Sequence, residues 1–218
     1  MVQLFYFYVA GREFLGDYRL HGYTIPMSTV LTKATCRPAV FPLFHERESF
    51  PEDTLNLIYH RLVSEDLLAD LCHDRNVTEE EFVKFVGEET LAYILIDLST
   101  NQIAGIGWFD DIEESDYLKK ARSAVAFFKE YQLPRVTEAF GKMLLSHAFN
   151  VLECSTVWGM TPASNVLVQR FCRRIGFRYV ATIPNFCSRR GEVTDALICV
   201  MTREEFNAKN TPEEAEGG

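Results

Sequence analysis

The chain has no CxxC pair among its six cysteines (Cys36, Cys72, Cys154, Cys172, Cys187 and Cys199), and most of them sit inside apolar segments. That usage suits reduced thiols in a cytoplasmic protein and speaks against a disulfide framework or structural zinc. Positive charge is also short: 22 Lys and Arg stand against 31 Asp and Glu, a formal net charge of −9. Broad attraction to nucleic acid or acidic lipid is therefore not expected, and only "FCRRIGFR" and Arg189-Arg190 run the other way. Long hydrophobic runs are missing too. The longest near the start, "LFYFYVA", falls far short of the about 20 residues a spanning helix needs, and no basic segment precedes it, so a membrane partner is not expected either.

What is present is enough for one well-buried core: 218 residues, 47% of them apolar. Residues 1–26 are aromatic-rich and then turn-like through "HGYTIP"; they read as an extension, either an added strand or the product of an upstream start. The α/β pattern occupies residues 27–206. The acidic end, residues 207–218, has too little apolar content to fold and is expected to be disordered.

Within that pattern, a β-type opening at residues 29–44 precedes a helix in which Leu55, Ile58, Tyr59, Leu62 and Val63 keep helical spacing. A shorter helix follows, with Thr78 as its cap and three acids in its first turn. "TLAYILIDLSTNQIAGIGWFDDI" has hairpin chemistry, turning at Ser99, Thr100 and Asn101. A strand is placed at "SAVAFFKEYQ", another at "CSTVWGM", and a second amphipathic helix at "SNVLVQRFCRRIG" with Gly176 as its terminal glycine. Two strands, "FRYVATI" and "TDALICVM", are joined by the polar stretch "PNFCSRRGEV". Between the strands at "SAVAFFKEYQ" and "CSTVWGM", Phe140, Leu144, Ala148 and Leu145 share one helical face, which predicts a helix over about residues 139–152. Its start, with Gly141 in the first turn, would offer free N–H groups and a positive dipole end to an anion, phosphate being the natural guest.

In "NVLVQRFCRRIGFRYVATIP", the spacing of Asn165, Val168, Phe171, Cys172, Ile175, Gly176 and Phe177 resembles the Asn-x-x-Ala-x-x-Leu-Tyr-x-x-Leu-Gly-Phe signature of the GNAT acetyltransferase superfamily. The family's phosphate turn, Gln/Arg-x-x-Gly-x-Gly/Ala, then falls over Val136 to Gly141, where Ala139 and Val136 replace the middle glycine and the Gln/Arg, and Glu138 adds a negative charge. The chain is most similar to divergent GNAT proteins encoded by bacteriophages, whose setting is the host cytoplasm. The resemblance implies a mixed α/β fold with a largely antiparallel twisted sheet of six to seven strands flanked by helices. It also implies acetyl transfer from acetyl-CoA to a primary amine of a small molecule or protein; the alternative is a GNAT-shaped binding or structural protein that has lost its chemistry. Homodimerisation is left open.

The same resemblance assigns the site. The pyrophosphate of acetyl-CoA would lie on the backbone of Ala139, Phe140, Gly141 and Lys142, and the pantetheine beside Lys129–Leu133, bringing in Tyr131 and Leu133. Asn165 would cap its helix or bond the pantetheine arm. Cys172 stands where many members place a tyrosine to protonate the departing thiolate, and it equally suits the apolar stripe of Val168, Phe171 and Ile175. Glu130 is the carboxylate nearest the expected strand end and so the candidate base for the amine, with a solvent-facing strand residue as the alternative. The acidic run at 109–116 reads as a solvated loop, the alternative being a flank of the acceptor site that attracts a cationic amine.

Overall fold

The computed structural model describes residues 18–20, 23–25, 38–42, 53–72 and 75–210. The aromatic run "LFYFYVA" and the end beyond residue 210 lie outside them. Two units divide the chain, Met1–Thr35 and Cys36–Gly218. In the first, β1 (Tyr18–Leu20) pairs antiparallel with β2 (Tyr23–Ile25).

The second unit is built on a seven-stranded sheet. Its strands are β3 (Pro38–Pro42), β4 (Leu91–Asp97), β5 (Gln102–Glu114), β6 (Lys119–Phe127), β7 (Thr156–Pro162), β8 (Arg178–Arg189) and β9 (Glu192–Thr202), in the spatial order β3-β4-β5-β6-β7-β9-β8. β4 is apolar at nearly every position because both its faces are covered; residues 92–95 are all buried. Every pairing is antiparallel except β6 with β7. The mixed, largely antiparallel sheet expected from the sequence is the one observed.

Helices cover both faces. α1 (Asp53–Ser64), α2 (Leu68–Cys72) and α3 (Glu79–Glu88) lie on one, where Phe85 meets the Trp108 ring edge-on at 5.9 Å. Phe109 points the opposite way from its neighbour Trp108. It meets Tyr93, which in turn meets His147 of α4 (Pro134–Asn150) at 4.9 Å. α5 (Val166–Ile175) packs beside α4, and α6 (Arg203–Asn210) brings Phe206 onto Phe149 at 5.0 Å.

Several boundaries differ from the sequence reading. α4 starts at Pro134, not near residue 139, because proline at the first helical position presets φ and its missing N–H costs nothing there. The strand placed at "SAVAFFKEYQ" ends at Phe127 and gives way to a 3-10 turn over Lys129–Tyr131. The polar stretch "PNFCSRRGEV" is mostly strand, since Cys187 pairs with Thr194 and Arg189 with Glu192 across a tight turn at Arg190 and Gly191. α6 runs past residue 206 to Asn210, started by the reciprocal bonds of Thr202 with Glu205 and tied at its far end by Lys209 Nζ donating to Gly176 O at 2.6 Å.

Candidate active site

β6 and β7 begin side by side and then part. Their parallel pairing covers only Lys120 with Thr156, Ala121 with Val157 and Arg122 with Trp158. Beyond that point β6 stays with β5 as far as Phe127, and β7 stays with β9 as far as Pro162. The facing edges from Ser123 and from Gly159 onward therefore have no strand between them. The gap opens into a cleft of about 870 Å³ that is lined by Ser123–Phe127, by Gly159–Pro162 and by the facing sides of α4 and α5.

One end of this cleft is the mouth of α4. Its N-cap, Leu133, gives no side-chain bond, and Thr137 N–H is the first to find an intrahelical carbonyl, that of Leu133. Pro134 has no N–H, so among the described residues Arg135 and Val136 hold the two open donors, with an exposed arginine side chain beside them. Ala139 to Lys142 lie a full turn or more inside the helix. Gly141 is buried and serves helix packing: a Cβ there would come within 2.9 Å of Phe171 Cζ and 3.0 Å of Ile175 Cγ2. Phe140 is a core residue whose ring meets that of Phe127 at a tilt, 5.9 Å between centres, and Lys142 pairs with Glu138 at 2.8 Å. The open donors thus sit several residues before the turn that the sequence suggested.

Glu130 and Tyr131 turn out to brace the 3-10 turn. Glu130 pairs with Arg61, whose Nε also donates to Glu65 Oε1 at 2.8 Å, while Lys129 N–H donates to Glu65 Oε2 at 2.6 Å. The Arg61 guanidinium lies 3.9 Å from the centre of the Phe128 ring. Burial raises the Glu130 carboxyl, but the Arg61 hydrogen bond and charge outweigh it and hold the group below the usual range. Tyr131 is buried, with Oη 3.4 Å from Thr100 Oγ1. Of the residues assigned from sequence, the cleft is lined by Gly141, Asn165 and Cys172; Glu130, Tyr131, Leu133, Ala139, Phe140 and Lys142 are not among its lining.

Asn165 caps α5 as its position predicts, Oδ1 accepting from Val168 N–H at 3.3 Å, and Gly176 ends the helix at φ 105°. Cys172 is buried at the inner wall of the cleft next to Cys199. A hydrogen bond with Cys199 pulls the Cys172 thiol down against its burial, and the same bond together with burial pushes Cys199 up. Burial also raises the Tyr179 hydroxyl, with Cys172 adding to it.

On the other face, the sequence reading missed a buried ion pair. Asp110 is 5% exposed, and Arg122 grips it with Nε to Oδ1 at 2.6 Å and Nη2 to Oδ2 at 2.9 Å; Trp108 Nε1–H adds a third bond at 3.1 Å. The "solvated loop" at 109–116 is thus in its first part a strand interior, since β5 continues to Glu114. The alternation of Trp108 and Asp110 on one face was the available signal. The partner, Arg122 on β6, was not visible locally. Across the cleft Arg189 binds Asp70 of α2 in the same forked way, at 2.6 and 3.0 Å, joining the β8–β9 turn to the helical side. Carboxylates of Glu65, Asp66 and Glu81 stand along the same lining.

No family model and no curated protein matches the sequence. Solved structures do match in fold. The spermidine N-acetyltransferase of Vibrio cholerae, solved with CoA and spermine, is 11% identical with a TM-score of 0.63, over 78% of this chain and 97% of that one. A ribosomal-protein alanine acetyltransferase of Vibrio fischeri is 9% identical with a TM-score of 0.61, over 78% of this chain and 94% of that one. The fold is that of the GNAT acetyltransferases. Among the described residues no helix is long and apolar enough to cross a membrane.

Proposed function

We propose that this protein moves an acetyl group from acetyl-CoA to a primary amine of a small molecule or protein, by direct attack of the amine on the thioester. The observation that carries the reading is the parting of β6 and β7 beyond Arg122 and Trp158, which leaves a slot in the sheet beneath an uncapped helix mouth. The residues present fit such a ligand. Its phosphates match the N–H groups of Arg135 and Val136, which stand between the lining residues Pro134 and Thr137, together with the Arg135 side chain, and Asn165 lines the cleft. Pro134 removes one backbone donor, and Arg135 offsets that loss with charge.

In this reading Cys172, which lines the cleft, returns a proton to the departing thiolate, a thiol being of the same chemical type as the leaving group. Glu130 is not given the base's role, because its carboxylate is held by Arg61 and its affinity for a proton is reduced. The amine's proton leaves instead to water, since on the carboxylate-bearing side of the cleft Glu65 is held by the same Arg61 and by Lys129 N–H, and Glu81 by Thr78. Those carboxylates also favour a cationic acceptor.

The test is release of free CoA thiol from acetyl-CoA in the presence of polyamines, lysine peptides and peptides with free amino ends. Release that depends on one class of amine is the expected result. Absence of both CoA binding and thiol release would defeat the reading, while binding without release for any amine would leave the alternative of a fold that keeps its ligand and has lost transfer.

A further inference from the structure

Thr161 is 2% exposed, lines the cleft, and holds an Oγ1 with no hydrogen-bond partner among the described residues. A buried hydroxyl left unpaired costs about 1–3 kcal/mol, so its retention at the wall of a slot points to a partner that arrives from outside the chain. Its backbone is accounted for by the β7–β9 ladder, where Thr161 faces Leu197. Strand alternation sets Thr161 on the same face as Gly159, whose missing Cβ would point at Cys199 Sγ, 3.4 Å away. The hydroxyl is therefore on the Cys172 and Cys199 side of the sheet.

Position along the slot narrows the ligand group. β7 leaves β6 at Trp158, and Thr161 is three residues further out, about 10 Å at strand rise. That puts it between the inner wall at Cys172 and the phosphate-binding mouth of α4. In an acyl carrier laid out with its thioester inward and its phosphates at Arg135 and Val136, this middle stretch is the amide-bearing arm.

We infer that Thr161 is a positioning residue for the acyl carrier, its Oγ1–H donating to an amide carbonyl of the arm. This rests on the acetyl-CoA reading above and adds a side-chain contact by which the chain measures where along the slot the arm sits. A site built to bond an amide rejects a carrier without one more strongly than shape alone would, since the hydroxyl is then left unpaired again. The contact also partly makes up for the donor that Pro134 removes at the phosphate end.

Calorimetric titration of coenzyme A and of ADP, which keeps the pyrophosphate and lacks the arm, into wild type, Thr161→Val and Thr161→Ser tests the inference, together with melting of each ligand-free protein. Thr161→Val is expected to bind coenzyme A about tenfold more weakly, to bind ADP as wild type does, and to melt at or above the wild-type temperature. Thr161→Ser, which keeps the hydroxyl, should stay near wild type for both ligands. Equal coenzyme A affinity in wild type and Thr161→Val would overturn the inference and leave the acetyl-CoA reading standing. So would equal weakening of both ligands, or a ligand-free Thr161→Val that melts well below wild type, since that would give the hydroxyl an internal partner. A wild type that binds no coenzyme A would remove the reading and the inference together.

Discussion

At the start of α3, Thr78 and Glu81 close the helix on itself: Glu81 N–H donates to Thr78 Oγ1, and Thr78 N–H donates to Glu81 Oε2 at 2.9 Å. At the start of α4, Leu133 offers no such bond, and the first turn holds no acid where α3 holds Glu79, Glu80 and Glu81. α3 is a ten-residue helix with two buried side chains, Phe82 and Val86, and it needs its cap. α4 is anchored by Val136, Phe140, Leu144, Leu145 and Phe149, so packing holds it and its mouth can stay open. A helix start left uncapped and uncharged by acids, beside a slot in the sheet, is where the proposed phosphate-bearing ligand would find donors that no described residue uses.

The contrast between the packed body of α4 and its open mouth can be tested first at His147. Burial lowers this imidazole to about 4, so it is neutral in the folded protein. The unfolded chain binds a proton near pH 6.5, which makes folding less favourable as the pH falls from about 6.5 to 4, by on the order of 3 kcal/mol in all, with nothing lost above that window. His147→Phe keeps the edge contact to Tyr93 and should flatten that part of the pH profile in urea unfolding. Parallel pH profiles for the two proteins would show that His147 is protonated in the folded state.

Gly141 gives the next largest effect. Gly141→Val drives a side chain into Phe171 and Ile175 and should cost roughly 2 kcal/mol or more of stability, read by denaturant midpoint. A Gly141→Val protein of full stability that no longer binds coenzyme A would return the phosphate site to the turn the sequence suggested. The smallest pair of effects has opposite signs. Thr78→Ala opens the α3 cap and should lower stability by about 1 kcal/mol without touching coenzyme A affinity. Leu133→Asp closes the α4 mouth with a cap of its own and should raise stability by a similar amount; Leu133 is exposed and already extended at φ −79° and ψ 134°, so the backbone need not move.

How much of this was legible depended on whether the signal was local. Asn165 and Gly176 announce both ends of α5 within its own sequence, and Thr78 does the same for α3. The start of α4 was misplaced because Leu133, Pro134 and Arg135 are exposed and carry no part of the apolar stripe, which begins only with Val136 and Phe140. Pro134, at the first helical position, marks the start. Gly141 is equally compatible with a phosphate turn and with a close helix crossing, and only the position of Phe171 decides between them. Asp110 read as solvated because its partner Arg122 lies on the next strand, and Thr161 carried no signal at all: an unpaired hydroxyl is defined by what surrounds it. The largely antiparallel sheet of six to seven strands was expected from the resemblance, whereas the polar groups of the slot are products of long-range pairing.

The most direct test of the account is a titration of coenzyme A into wild type and into Leu133→Asp. The account predicts binding to wild type and a loss of at least tenfold, about 1.4 kcal/mol, in Leu133→Asp, as the new carboxylate takes the N–H groups that the phosphates need and repels them. Equal affinity in the two proteins, with Leu133→Asp melting above wild type, would show that the helix had been capped and that the ligand had never used its mouth.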